Sequence, residues 1–174
     1  MPRPLAVLFS KQPLGIGVCH GHKPFTDAMT ITQSDSNVVH QIDGRAAWDV
    51  FVEKTRQRAQ AEGIDATQLG SDSDVLQYFL KYETGIKNGH EFRIRAPLLR
   101  NEDKSLGFVC GMPEGTPIYF MASTPDAQIE SARGAAQRAK QQLGGRRVAG
   151  ALVVDCGCRK LILKDRFGEA IRAI

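Results

Sequence analysis

The sequence predicts an α+β fold: a mixed or antiparallel sheet flanked by two or three helices. Three observations carry that expectation. The elements run strands, helices, strands, helix, strand, not as a regular strand–helix repeat. Two stretches show a helical apolar stripe, and several short ones alternate apolar with polar residues between Gly, Pro and Asn. The 174 residues, 42% of them hydrophobic, suit one compact domain. A chain of this size buries roughly 70% of its unfolded surface, so a core forms without staples.

The elements follow in order. Residues 4–10, PLAVLFS, read as a strand, and residues 15–24, GIGVCHGHKP, as a second short strand entering a turn. Residues 28–44 read as a hairpin: Met29 and Ile31 alternate with Thr30 and Thr32, residues 34–37 supply the turn, and residues 38–42 return. Asp43 stands where a helix N-cap belongs. Behind it Ala47, Trp48, Phe51, Val52, Thr55 and Ala59 form one stripe of a helix ended by Gly63. A shorter helix, capped near residues 71–73, turns Val75, Leu76, Phe79 and Leu80 inward. EFRIRAPLL resumes β structure, with Arg93 and Arg95 on one side of it, and residues 106–123 read as two strands around a Pro-Glu-Gly turn. Thr124, Pro125 and Asp126 open a helix. Its stripe of Ile129, Ala132, Ala136, Ala139 and Leu143 is mostly small and predicts a close approach to the sheet; Gly144 and Gly145 stop it. Residues 148–156 read as a buried strand, KLIL as a short extended segment, and the last ten residues as a helical start.

Composition excludes some functions. No apolar run is long enough to span a bilayer; the longest, around residues 148–154, is interrupted by Gly150. The N-terminus lacks the apolar region and cleavage site of a signal peptide, which predicts a cytoplasmic protein whose four cysteines are reduced thiols. The formal net charge is +4, and from Asp126 onward ten basic residues face five acidic ones. Those cations are scattered and Phe167 is the only aromatic among them, so they read as a solvated face and no nucleic-acid or membrane partner is expected.

The candidate chemistry lies in a few places. Cys156 and Cys158 form a C-x-C, too close for a usual zinc pair and without a second pair, so packing or a thiol made reactive by Arg159 and Lys160 is the reading. A cysteine-dependent enzyme is one alternative, although no general base stands at a telling spacing. His20 and His22 form H-x-H in a Gly-rich turn and read either as polar turn residues or, if the segment is extended, as two side chains aimed at one ligand. His40, on a strand face with Val38 and Ile42, is either a satisfied core histidine or an axial haem ligand. His90 reads as a turn residue. Arg93 and Arg95 are either solvated or a clamp for a carboxylate. GIGVCHG lacks the third glycine and following helix of a dinucleotide fingerprint.

Several stretches together resemble the FIST sensory domain of bacterial signal-transduction proteins, chiefly its C-terminal half. They are GIGVCHGHKP, IDGRAAWDVF, FRIRAPLL with LGFVCGMPEGTPIYFM, and ALVVDCGCRKLIL, whose Cys-x-x-Arg corresponds to Cys156 and Arg159. Asp155 departs from the small polar residue more usual there. Residues 1–42 resemble the last strands of the family's N-terminal half and residues 43–174 its C-terminal half, ending before Gly-Glu and His-Asn-x-Thr segments expected further on. The chain therefore reads as a fragment, a short relative or an engineered piece. The resemblance implies binding of a small metabolite such as an amino acid, with no catalysis, and output to a histidine kinase, cyclase or chemoreceptor. Arg159 beside Cys156, helped by Arg93 or Arg45, would hold the ligand's acid group. The alternative it implies is a haem-binding nitric oxide sensor using His40 or His20.

Overall fold

The computed structural model describes residues 11–174. The strand expected over residues 4–10 lies outside them. Among the described residues nine strands form the sheet: β1 (Lys23–Pro24), β2 (Met29–Asp35), β3 (Val38–Ile42), β4 (Arg45–Ala46), β5 (Tyr82–Asn88), β6 (Glu91–Arg95), β7 (Pro97–Arg100), β8 (Leu106–Phe108) and β9 (Pro117–Ala122). Their order is β6-β5-β9-β2-β3-β8-β7, with β1 beside β9 and β4 beside β3. Every pairing is antiparallel. Five helices accompany it: α1 (Ala47–Ala61), α2 (Asp72–Lys81), α3 (Pro125–Gln141), α4 (Gly157–Leu163) and α5 (Phe167–Arg172). The fold is α+β, as expected, and the two short C-terminal helices raise the helix number.

Local chemistry explains most of these elements. Asp43 and Gly44 take successive positive φ angles of 50° and 74°, joining Ile42 to its cross-strand partner Arg45. This is the two-residue primed turn that Asp-Gly favours, because its twist matches that of the flanking strands. Asp43 is thus a turn residue and not a helix cap: its carboxylate accepts from the Thr30 N–H at 2.8 Å, and α1 begins at Ala47. Ser71 caps α2 in a reciprocal box with Asp74, and Thr124 caps α3 by accepting from the Ala127 N–H at 3.2 Å. β5 was not anticipated. Its alternation is broken by Glu83 and Gly85, yet Asn88 and Glu91 pair across a two-residue loop at Gly89-His90.

The sheet's two faces differ in chemistry. On one, α1 and α2 bury an aromatic core. Phe51 sits at its centre, with ring centroids 4.8 Å from Phe120, 5.2 Å from Phe79 and 5.7 Å from Tyr78, all edge to face. Such pairs add about 0.5–1.5 kcal/mol each beyond the area they bury. Thr55 lies in this core and satisfies its hydroxyl against Tyr78 and the Phe51 carbonyl. Tyr82, Thr84 and Ile86 face this side, so Glu83 and Gly85 face the other.

The second face carries the main corrections. Residues 11–22 run without regular secondary structure or strand pairing, and only Lys23–Pro24 joins the sheet. Gly15 and Gly17 press their backbone against α3, where a Cβ would fall on the carbonyl oxygens of Ala139 and Ala135. Side chains of α3 and of its C-cap Gln142 replace the missing ladder: the Ile16 N–H donates to Gln142 Oε1 at 3.2 Å, Gln142 Nε2 donates to the Ile16 carbonyl at 2.6 Å, and Arg138 donates to the Val18 carbonyl at 3.2 Å. Of the small stripe of α3, Ala139 meets this glycine-bearing segment, together with Ala135 and Ala127, whereas Ile129 and Ala132 pack against Leu163, Phe167 and Ala170 of the C-terminal helical region. Residues 148–156 are not a buried strand. They have no regular secondary structure, pair with none of the nine strands, and leave Leu152 91% and Val154 89% exposed. KLIL lies in α4. Apolar composition makes a segment able to pair but supplies no edge for it.

Phe51→Ala should cost about 3–5 kcal/mol in urea denaturation, as expected for emptying a packed aromatic site. Gly17→Ala should cost about 1–3 kcal/mol by overpacking against backbone, whereas Gly150→Ala, in open space, should change stability little. Equal effects of the two glycine variants would refute the close approach to α3.

Candidate functional site

Beneath α3 the chain gathers polar groups where a core would otherwise be apolar. Arg159, on the first turn of α4, points inward, its side chain only 12% exposed. Its Nη2 donates to the Cys19 carbonyl at 3.3 Å and to Ser131 Oγ at 3.2 Å. One guanidinium thus joins α4, α3 and the segment of residues 11–22. Its Nε lies 3.3 Å from Asp155 Oδ1, an oxygen already accepting from the Cys156 N–H at 2.9 Å. Arg159 Nε and Asp155 Oδ2 are buried, and among the described residues neither has a hydrogen-bond partner.

His22 and Glu83 lie beside this group, with side chains 5% and 4% exposed and His22 Nε2 3.5 Å from Glu83 Oε2. Burial pushes Glu83 up to about 7. Burial, with smaller contributions from the nearby charges of His20 and Arg159, pulls His22 down to about 4. Both shifts disfavour charge, and 3.5 Å is long for a charge-assisted bond, so from pH 4 to 7 this is a contact of two neutral groups. Hydrogen bonds assign the tautomers. His22 Nδ1 must donate to the His20 carbonyl, 2.9 Å away, leaving Nε2 as an acceptor toward Glu83 and Gln128. His20 Nδ1 accepts from the His22 N–H at 3.1 Å, so the other nitrogen donates to the Phe92 carbonyl. Gln128 Nε2 also donates to Ser123 Oγ at 2.9 Å.

The other expected residues do not converge here. Arg93 pairs with Ile86 in β6–β5 register and so faces the aromatic side of the sheet, opposite Glu83. Arg45 is exposed on β4 and bonds Glu53 at 2.6 Å. Cys156 sits beside Arg159 at the N-cap of α4, exposed. Cys158 is half-buried, and burial, with Cys156 and then Glu83 adding to it, pushes its thiol up to about 12. It is a thiol at neutral pH, which removes it as a ready nucleophile.

His40 and His20 do not fit an axial haem role as they stand. A bulge between β2 and β3 turns both Val39 and Ile42 inward and leaves His40 35% exposed, 3.4 Å from Asp103. Both ring nitrogens of His20 are engaged. An open groove of about 470 Å³ lies along Ile16, Val18, Glu91 and Arg138, and a smaller cleft of about 260 Å³ along Arg56, Gln60 and Asp65; neither reaches Arg159.

Sequence reading missed Glu83, Gln128 and Ser131 as site residues. The signals were present: Glu83 alternates with Tyr82 and Thr84, and Gln128, Ser131 and Ala132 share one face of α3 at helical spacing. Two family models match the chain: the FIST C domain over residues 64–174 and the FIST N domain over residues 4–45. No curated protein and no solved structure matches it.

The two buried groups set opposing pH dependences. Glu83, raised from 4.5 to about 7, adds stability at low pH that is lost as pH rises through 7. His22, lowered from 6.5 to about 4, adds stability above pH 6.5 that is lost as pH falls through 4. The slopes offset in the native protein. Urea melts of Glu83→Gln should show stability rising across pH 4 to 6.5, and those of His22→Gln stability falling from 4.5 to 7, each by about 3 kcal/mol. Parallel profiles for the native protein and both variants would refute this.

Proposed function

Since the chain belongs to the FIST family, whose domains are small-ligand sensors of signal-transduction proteins, we propose that Arg159 and Asp155 seat a small zwitterion, an α-amino acid. One observation carries this reading: a buried cationic donor and a buried anionic acceptor lie side by side, each with unused hydrogen-bonding capacity. An unmet buried polar group costs about 1–3 kcal/mol, more when charged, so a complementary guest is favoured there. A carboxylate meets the Arg159 Nε–H, and an ammonium meets Asp155 Oδ2. No bond is broken in this reading.

The signal follows from the same contacts. Neither cleft reaches Arg159, so entry displaces the exposed segment of residues 148–156, which leads directly into Asp155. Arg159 also holds the Cys19 carbonyl and Ser131, so a ligand that draws the guanidinium toward itself acts on α3 and residues 11–22 together. A ligand shifts such an equilibrium only through its different affinity for the two arrangements. The displaced surface is read by a kinase, cyclase or chemoreceptor partner. Among the described residues no helix is long and apolar enough to cross a membrane.

The test is a thermal-shift titration with a panel of α-amino acids and, as controls, the same molecules lacking either the amine or the carboxylate. A binder at a hundredfold excess over its Kd should stabilise by about 2.7 kcal/mol. Arg159→Ala and Asp155→Asn should each abolish the response with the far-ultraviolet circular dichroism unchanged, and the truncated analogues should fail. An undiminished response in Arg159→Ala, or no response to any amino acid in the native protein, would overturn the proposal.

A further inference from the structure

We propose that Cys156-Gly157-Cys158 is a dithiol site that reacts with low-molecular-weight disulfides and closes to an intraloop disulfide. The site stands apart from the zwitterion reading and rests on different atoms. Cys156 is exposed, Cys158 is half-buried, and both are free. Cys156 is the N-cap residue of α4, with φ −74° and ψ 133°, and Cys158 lies in the first turn of that helix. Gly157, between them, is the first residue of α4. One helical residue between two Cα atoms holds them about 5.4 Å apart, inside the span of roughly 4.4–6.8 Å that a disulfide bridges. A Cβ on Gly157 would meet nothing within 4 Å, so the backbone there is unobstructed and has glycine's latitude to take up the tight ring.

The environment orders the steps. Cys156, at the surface, meets the oxidant first. Its thiolate sulfur attacks one sulfur of the incoming disulfide, that S–S bond breaks, and the first small thiol leaves with the electron pair. Cys158 then gives its proton to water, and the thiolate so formed attacks Cys156 Sγ in the mixed disulfide; that S–S bond breaks and the second small thiolate leaves with the electron pair and is protonated. The protein loses two electrons and two hydrogens, and the oxidant becomes two thiols. Burial keeps Cys158 protonated and makes the second step the slower one. Closure fixes the backbone immediately before Arg159, whose guanidinium holds the Cys19 carbonyl and Ser131, so the redox state of the loop bears on three packed elements.

The experiment uses the full chain equilibrated in glutathione buffers of graded oxidised-to-reduced ratio, then alkylated and digested with trypsin. Residues 148–159 form one tryptic peptide carrying both cysteines, with Cys19 and Cys110 in others. With rising oxidised glutathione this peptide should lose both alkyl groups together and become lighter by two hydrogens. Cys158→Ser should instead accumulate a stable glutathione adduct on Cys156, and Cys156→Ser should react at least tenfold more slowly. Three outcomes would each overturn the site: both thiols alkylated at every ratio, a persistent glutathione adduct on Cys156 in the native chain, or a bridge from either cysteine to Cys19 or Cys110.

Discussion

Arg159 ties three pieces of chain, α4, α3 and residues 11–22, at one buried point. Residues 11–22 have no strand partner, α3 packs on that segment and on α4 and α5, and α4 is two turns long. A planar guanidinium with several fixed donors is suited to this: one nitrogen serves a carbonyl from residues 11–22 and a hydroxyl from α3 at once. A lysine in its place would present a single point charge on a flexible stem. The grip depends on Arg159 being largely sheltered from water, since hydrogen bonds to an exposed guanidinium are weakened by solvent and salt. It also leaves Nε directed at Asp155 without an aligned bond, and that unfilled capacity is what makes the grip responsive to a guest.

The two faces of the sheet divide stability from response. On the aromatic face, Phe51, Tyr78, Phe79 and Phe120 interlock edge to face, and the polar Thr55 is fully satisfied within them. Such a core is close-packed and has one good arrangement. The opposite face is held by side-chain amides, a guanidinium and two neutral histidines bonding to backbone. Hydrogen bonds of that kind exchange partners at low net cost, because each contributes only about 0.5–1.5 kcal/mol. A sensor needs both halves: a rigid frame, and a layer over it with a second arrangement within reach.

Neutrality is the condition that lets this polar layer be buried. An ionised Glu83 beside an ionised His22, both nearly closed to water, would have to recover a desolvation penalty of several kcal/mol per ion. The chain avoids that by letting both discharge, and its bonds fix opposite tautomers on His20 and His22. Arg159 is the charge that remains, answered by Asp155.

Local patterns in the sequence were enough for much of this. The stripe from Ala47 to Ala59, the caps at Ser71 and Thr124, the β2–β3 hairpin and the antiparallel class follow from period, cap chemistry and turn residues, each set within a few positions of the chain. Arg159 and Cys156 were recognisable as a motif. Other features depend on partners more than a hundred residues away. Residues 15–18 and 148–156 have the composition of strands, but strand formation needs a hydrogen-bonding edge, and composition cannot say whether one arrives. Arg45, Arg93 and Arg159 are chemically alike in sequence, yet strand register and helix placement send them to different surroundings. Glu83, Gln128 and Ser131 become one site because β5, α3 and α4 close over the same patch. Which polar residues lose their water is settled by packing between distant elements, and no local pattern encodes it.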